Sequence, residues 1–268
     1  MDAPSSAVAE SLLAFWRDAG VADCFEDTPQ NRLTETELRR RNAAPTPGAP
    51  ALRTTASALA PDLAEAVIAA REAALAADSV EALAQAVNAF RGSALQQQAR
   101  STVFLRGRPD AEVMVIGEAP GGEEDAQGMP FVGRSGRLLD KALGAAGLDG
   151  RVLITNTVFW RPPGDRNPSL QEQAVCAPFL DRLIGLVKPR ALLLLGAASA
   201  KSVLKQDGGI LSIRGRWFEH VTDDGAVRTP ALPTLHPAFL LRQPQAKRMV
   251  WGDLLALGAK LASPNSPE

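Results

Sequence analysis

Four short runs of mainly apolar residues lie within residues 101–268, and each is followed by a glycine or a polar residue. The runs are Val113–Ile116, Val152–Ile154, Ala191–Leu195 and Thr229–Leu235, which lead into Gly117, Thr155–Asn156, Gly196 and His236. Short apolar runs bounded in this way are typical of strands that are buried on both faces of a sheet.

Segments with helical patterns separate these runs. Ser169–Glu172 has the sequence of a capping box and predicts the start of one helix. The other predicted helices are Arg137–Ala146, Ala198–Leu204 and Lys247–Leu257, with a short β excursion near 208–218. Alternating strands and helices predict an α/β fold, in which three α/β/α layers surround a central, mostly parallel, four-stranded sheet.

The first hundred residues have a different character. Val8–Ala19 has the apolar spacing of an amphipathic helix, and the proline-rich segment near 35–55 is typical of a linker. Ala-rich helices are predicted at Pro61–Ala77 and from Ser79 to Phe90. We therefore expect residues 1–100 to form a helical extension and residues 101–268 to form the catalytic domain.

Charge and cysteine content narrow the possible functions. The formal net charge is −1, but residues 101–268 carry 20 Lys and Arg against 17 Asp and Glu, which permits a basic face there. The two cysteines and two histidines lack the spacing of a metal site or a disulfide framework. We see no segment long enough to span a membrane and no signal peptide at the N-terminus, and we expect a cytoplasmic protein.

The ends of three predicted strands carry candidate chemistry. The ends of parallel strands meet at one edge of a sheet, where ligands bind, so we expect the loop Gly117–Asp125, Asn156 and His236 to converge. The loop has neither the phosphate-binding nor the dinucleotide-binding glycine pattern, and a tight turn with solvated acids explains it equally well. An asparagine amide suits reading the edge of a base, although capping a turn is its common use.

Two interpretations are also open for Phe131 and for the loop Arg161–Pro168. A phenylalanine between turns either packs in the core or stacks on a ligand. The basic, proline-rich loop either contacts phosphates or forms an ordered turn.

Together these segments resemble the family 4 uracil-DNA glycosylases over Thr102–Leu257. The matching stretches, in the family's order and spacing, are Gly117–Asp125, Pro130–Leu139, Ile154–Pro168 and Leu235–Arg242. The resemblance implies hydrolysis of the N-glycosidic bond between uracil and deoxyribose in DNA, after the base has been flipped out of the stack.

The resemblance also implies roles for individual residues. Phe131 would stack on the uracil, and Asn156 would bind its polar edge and reject cytosine. Glu124 would fill the space near C5, and His236 would donate a hydrogen bond to O2. Glu118 would help to place water, which Glu118, Glu124 or backbone groups would hold, and the sequence leaves this choice open.

Further residues would complete the site and the contact with DNA. Gly117, Ala119 and Gly121 would line the base-binding loop, and Arg134, Ser135 and Arg161 would contact DNA. Leu240 or Leu241 would fill the gap left by the flipped base, and Arg242 would hold a phosphate. We expect a monomer that acts on uracil-containing DNA.

Most family 4 members bind a [4Fe–4S] cluster through four cysteines. Here Cys176 occupies one of those places, whereas Ser93 and Trp160 stand where two others would be expected. A cluster of this type needs four ligands, so we predict that the chain has no iron–sulfur cluster and no other metal.

Three other interpretations are compatible with the sequence. They are a protein that binds uracil or abasic sites without efficient turnover, a glycosylase for another deaminated base such as hypoxanthine or xanthine, and an α/β domain that binds a small metabolite.

Overall fold

One sheet of six strands runs through the part of the chain that the structure describes. The structure, a computed structural model, describes residues 61–206 and 208–263. The strands are β1 (Leu105–Gly107), β2 (Val113–Gly117), β3 (Val152–Asn156), β4 (Ala191–Leu195), β5 (Phe218–Val221) and β6 (Arg228–Thr234). Their order across the sheet is β1-β3-β2-β4-β6-β5. The helix predicted at Val8–Ala19 and the linker predicted near 35–55 lie outside the described residues.

The four central strands are parallel, and each edge strand is antiparallel to its neighbour. The predicted mostly parallel α/β sheet is therefore confirmed, but the predicted number of four strands is wrong. Both edge strands lack a buried apolar run, because β1 has only three residues and β5 alternates half-buried with exposed positions. Part of the segment expected to be a β excursion, Ile210–Ile213, is a short helix instead.

The described residues form ten α-helices. They are α1 (Pro61–Ala76), α2 (Val80–Ala89), α3 (Ala94–Gln98), α4 (Gly122–Gln127), α5 (Arg134–Ala145), α6 (Leu170–Val187), α7 (Gly196–Leu204), α8 (Ile210–Ile213), α9 (Pro237–Arg242) and α10 (Lys247–Ala262). None of these helices is long and apolar enough to cross a membrane.

The sheet lies between two apolar layers, as the three-layer prediction requires. Met114 and Ile116 of β2 contribute to one layer, together with α1, α2, α6 and α7. Val113 and Val115 contribute to the opposite layer, together with α5, α9 and α10. Side chains of a strand point alternately to its two faces, so a strand that is covered on both sides is apolar throughout.

The helices that precede the sheet pack on α6. Leu83 and Val87 of α2 are fully buried, and the Arg182 guanidinium donates two hydrogen bonds to the Ala77 carbonyl, at 3.0 and 2.7 Å. Residues of α1 and α2 thus belong to the same apolar layer as the sheet. The boundary between an extension and a catalytic domain at residue 100 stays a prediction.

A buried charge holds the end of β6. The Asp253 carboxylate of α10 accepts a hydrogen bond from Thr234 Oγ1 at 2.5 Å and pairs with the Arg214 guanidinium. Asp253 is only 2% exposed, and a buried carboxylate is tolerated when it is paired and hydrogen-bonded in this way. The network fixes the strand end that leads into His236.

Candidate active site

A pocket of about 280 Å³ opens at the carboxyl ends of the parallel strands. Its lining includes most of the residues that the sequence singled out for chemistry. They are Glu118, Ala119, Gly121, Glu124, Phe131, Ser135, Asn156 and His236. The predicted convergence of three distant strand ends therefore occurs in the structure.

Gly117 allows two pocket side chains to approach the backbone. The register of β2 and β3 pairs Gly117 with Asn156. A Cβ on Gly117 would lie 2.5 Å from the Phe131 ring and would also collide with Asn156 Oδ1. Only glycine can occupy this position without moving the two side chains.

Phe131 is held in an unusual backbone conformation. Its φ is +56°, in the left-handed region that residues other than glycine rarely adopt. The Phe131 carbonyl accepts a hydrogen bond from Arg106 Nη2 at 3.2 Å, and the same nitrogen bonds Asp140 at 2.6 Å. A Cβ on Gly136 of α5 would overlap this carbonyl. Strain of this kind persists where the surroundings over-determine it, often at ligand sites.

The Phe131 ring forms one wall of the pocket. It is 6% exposed, and its centroid lies 5.7 Å from that of the His236 ring, with 37° between the planes. The sequence left open whether this ring is a core residue or a stacking surface. Its location fits both descriptions, because the ring packs with the apolar layer of α5 and also lines the pocket.

Asn156 has an acceptor without a partner. The residue is 1% exposed, and Oδ1 is buried with no hydrogen bond. A buried acceptor without a partner costs about 1–3 kcal/mol, so its persistence next to a cavity points to a ligand that donates a hydrogen bond there.

Glu118 is a second acceptor of this kind. Its Oε1 is buried without a hydrogen-bond partner, and burial raises the pKa of the carboxyl group above its usual value. The backbone around it is fixed, because the Glu118 carbonyl accepts bonds from Thr157 Oγ1 at 2.7 Å and from the Val158 N–H at 3.2 Å. A carboxyl group with a raised pKa in a cleft suits proton transfer or the binding of water.

The Glu124 carboxylate is bound by two backbone amides. Its two carboxylate oxygens accept hydrogen bonds from the Gly121 N–H at 3.2 Å and the Gly133 N–H at 2.9 Å. These amides belong to the N-cap residues of α4 and α5. Glu124 therefore ties the two loops together and shapes one side of the pocket.

His236 is set up as a neutral hydrogen-bond donor. It caps α9, where its Nδ1 accepts a hydrogen bond from the Ala238 N–H at 3.1 Å. The ring proton must then reside on Nε2. Burial, with a smaller contribution from the positive charge of Arg242, lowers the pKa of His236 to about 4. At neutral pH the ring is uncharged and offers an N–H group.

The loop between β3 and α6 supplies three pocket residues that the sequence singled out only as part of the loop Arg161–Pro168. Asp165, Arg166 and Asn167 line the pocket. The Asp165 carboxylate binds the Arg161 guanidinium through two hydrogen bonds, at 2.7 and 3.0 Å. Positive φ at Asp165 and the adjacent Gly164 turns the loop toward the pocket. The Pro-Gly sequence indicates a turn but not its direction.

Arg166 is fixed by the helix that follows. Its guanidinium binds the Glu172 carboxylate at 2.8 and 2.6 Å, and these bonds lower the pKa of Glu172 to about 2. Glu172 also forms the predicted capping box, in which it accepts from the Ser169 N–H at 2.7 Å and the Ser169 hydroxyl accepts from the Glu172 N–H at 3.2 Å.

The residues expected to contact DNA fall into different settings. Leu240 is 3% exposed and packs in the core, whereas Leu241 is 39% exposed. This is the spacing of a helix, in which adjacent side chains point in different directions. Arg134 and Arg242 are exposed and form no ion pair with any residue that the structure describes.

The positions implied for cluster ligands do not fit a four-thiolate group. Ser93 and Trp160 are buried, and the Trp160 indole stacks on Phe90 at 6.5 Å and donates to Thr102 Oγ1 at 3.1 Å. The Cys176 thiol is fully buried, and burial raises its pKa to about 12. Within residues 61–206 and 208–263, no group of three or more His, Cys, Asp or Glu side chains is arranged to hold a metal.

Comparison with known proteins agrees with this geometry. Residues 104–255 match the family described as the uracil DNA glycosylase superfamily. The chain is 35% identical over 182 residues to the Type-4 uracil-DNA glycosylase of Sulfurisphaera tokodaii, an alignment that covers 66% of this chain and 82% of the relative. It is 36% identical over 165 residues to the Type-4 enzyme of Pyrobaculum aerophilum, which covers 60% and 83% of the two chains. The chain belongs to the uracil DNA glycosylase superfamily.

The contact between Gly136 and Phe131 can be tested through stability. Gly136→Ala should lower the free energy of unfolding by roughly 1–3 kcal/mol, because the added methyl group collides with the Phe131 carbonyl. Gly144→Ala, in the same helix, is the matched control, since its methyl group would meet open space. That control should be neutral or stabilising by up to about 1 kcal/mol. Urea unfolding measures both variants, and equal stabilities would contradict the proposed contact.

Proposed function

We propose that this protein is a uracil-DNA glycosylase, which hydrolyses the bond between uracil N1 and deoxyribose C1′ and leaves an abasic site in DNA. One observation carries the proposal: an unpartnered acceptor on Asn156, an aromatic ring and a neutral His236 donor converge on one pocket. The relatives named Type-4 uracil-DNA glycosylases support it.

Base recognition follows from the acceptor on Asn156. Uracil carries a proton on N3 and an oxygen on C4, whereas cytosine carries an unprotonated N3 and an amino group. Asn156 Oδ1 accepts from the uracil N3–H, and its amide donates to O4. Cytosine would leave the Asn156 acceptor unpartnered and would also face it with an acceptor of its own. Discrimination by unpaired buried polar groups is strong.

Phe131 is the residue on which the flipped uracil stacks. The ring offers a flat face to a base that has left the duplex, and removal of a base from the stack costs a few kcal/mol. Phe131, held by Arg106 and by the close approach of Gly136, is already in position before DNA binds. Preorganisation of this kind reduces the ordering that binding requires.

His236 stabilises the leaving group. As the C1′–N1 bond breaks, its electron pair moves onto uracil and negative charge builds up on O2. The Nε2–H of the neutral ring donates a hydrogen bond to O2, and this bond strengthens as the charge develops. One such donor is typically worth about 3–4 kcal/mol in the transition state.

Glu118 binds and deprotonates the attacking water molecule. Its unpartnered carboxylate oxygen accepts a hydrogen bond from a water molecule that attacks C1′, and it takes up the proton as the new C–O bond forms. The negative charge of Glu118 also favours the positive charge that develops on the sugar. Ala119 offers no second carboxylate at the neighbouring position, and Glu124 is engaged by two backbone amides.

The DNA backbone is held around the pocket mouth. Arg134, Ser135 and Arg242 contact phosphates, and Leu241 fills the space left by the flipped base. Leu240 supports Leu241 from within the core. Arg161 reaches phosphate only if its bidentate bond to Asp165 opens. We further propose a cytoplasmic monomer, since one molecule engages one flipped base.

Substitutions in the pocket test the function. Using a labelled single-uracil oligonucleotide, we expect wild-type protein to produce alkali-labile sites. Asn156→Ala and His236→Ala should each slow this step by about 100- to 1000-fold. Asn88→Ala is the matched control, because Asn88 is exposed on α2, outside the residues that line the pocket, and it should retain wild-type rates. Binding of the oligonucleotide without release of uracil would make the protein a lesion binder instead.

The pH dependence separates the two titratable groups. Glu118 must be ionised to accept a proton, and burial raises its pKa above the usual range of a glutamate. His236 must be neutral, and burial lowers its pKa to about 4. As pH falls, kcat/KM should therefore decline first through the protonation of Glu118. The residual activity of Glu118→Gln should decline only near the pKa of His236. If the activities of the wild type and of Glu118→Gln declined over the same acidic pH range, these assignments would be contradicted.

We also propose that the protein has no iron–sulfur cluster. The buried, hydrogen-bonded Trp160 and the single Cys176 thiol support a protein without an iron–sulfur cluster. We expect protein purified without oxygen to be colourless and to lack stoichiometric iron. About four irons per chain would overturn this proposal.

A further inference from the structure

The outward face of α10 carries an aromatic and basic stripe, which comprises Lys247, Arg248, Trp251 and Leu255. Residues spaced by three or four positions lie on the same side of a helix. All four are exposed, and Trp251 and Leu255 are 41% and 54% exposed. The opposite face of α10 packs in the apolar layer through Val250, Leu254 and Leu257. The α10 stripe is therefore not needed for packing.

The charge on this face has one sign. The segment Leu241–Ala262 contains four basic residues and a single acid, Asp253. Asp253 is buried and already paired with Arg214. Among the described residues, Lys247 and Arg248 have no ion-pair partner. A partner with a continuous negative charge and flat apolar groups complements such a surface.

The stripe continues from the residues proposed to enter DNA. Arg242 ends α9, and Lys247 begins α10 after the short turn Pro244–Ala246. Five residues span at most about 18 Å, and Trp251 lies about 6 Å further along the helix axis. The distance from Arg242 to Trp251 is thus at most the length of about seven nucleotides of a B-form strand.

We infer that the α10 stripe is a secondary DNA-binding surface, on which the strand that flanks the flipped nucleotide runs. Trp251 stacks on a base or sugar of that strand, and Lys247 and Arg248 bind its phosphates. Leu255 extends the apolar surface beside the indole. The inference rests on the proposed function, because it is that function which brings DNA to the neighbouring pocket.

Two single-stranded oligonucleotides of different length test the inference. In one, uracil has two nucleotides on each side, and in the other it has ten. The ratio of kcat/KM on the long oligonucleotide to that on the short one should fall about tenfold in Trp251→Ala, through a higher KM on the long substrate. Trp251→Phe should restore the ratio, because phenylalanine still stacks.

Trp217→Ala is the matched control, since Trp217 is 37% exposed and lies outside the stripe. It should keep the wild-type ratio. A loss in Trp251→Ala that is equal on both substrates, or a similar loss in Trp217→Ala, would overturn the inference. So would a changed sedimentation coefficient with unchanged DNA affinity, since the stripe would then bind a second copy of the chain.

Salt dependence gives an independent measurement. The slope of log Kd against log salt concentration for the long oligonucleotide should fall by about 0.7 for each of Lys247→Ala and Arg248→Ala. Lys188→Ala is the control, because Lys188 precedes the amino end of β4, whereas the pocket lies at the carboxyl ends of the strands, and its slope should stay at the wild-type value. Unchanged slopes for the two α10 variants would overturn the phosphate contacts.

The binding measurement also separates this inference from the proposed function. If the wild-type protein released no uracil from either oligonucleotide, the function would fail. The effects of Trp251→Ala, Lys247→Ala and Arg248→Ala on Kd would still decide the inference.

Discussion

The pairing of β2 with β3 is the constraint on which the pocket depends. Parallel register sets Gly117 beside Asn156, and the missing side chain at Gly117 leaves room for the Phe131 ring and the Asn156 amide. A shift of one residue would turn Asn156 to the other face of the sheet. The buried apolar strands that fix this register therefore also fix the geometry of the proposed base-binding pocket.

Several pocket groups are held by backbone hydrogen bonds instead of by other side chains. The Glu124 carboxylate binds two backbone amides, and His236 Nδ1 binds the backbone amide of Ala238. Backbone partners belong to helices and strands that form anyway, so little further ordering is needed when DNA binds. The two acceptors left open, on Glu118 and Asn156, are the ones that a base and a water molecule can satisfy.

The parts of the structure that follow from local patterns were predictable from the sequence. Apolar runs such as Val113–Ile116 identify the central strands, and Ser169–Glu172 identifies a helix start. The edge strands were missed because a half-covered strand needs no continuous apolar run. The commitment of Glu124 to two amides, the burial of Leu240 and the position of Asp165 depend on tertiary packing and on positive φ, which residue types alone do not encode.

The cap formed by His236 restricts which ligands the pocket can accept. Because Nδ1 is occupied by the first turn of α9, the ring cannot exchange its proton between the two nitrogens without uncapping that helix. A cap of this kind is worth about 1 kcal/mol. A molecule designed to occupy the pocket should therefore offer an acceptor to His236. A ligand that presents a donor there faces the Nε2–H group of His236. It is accommodated only if the ring proton moves to Nδ1, which removes the cap from α9.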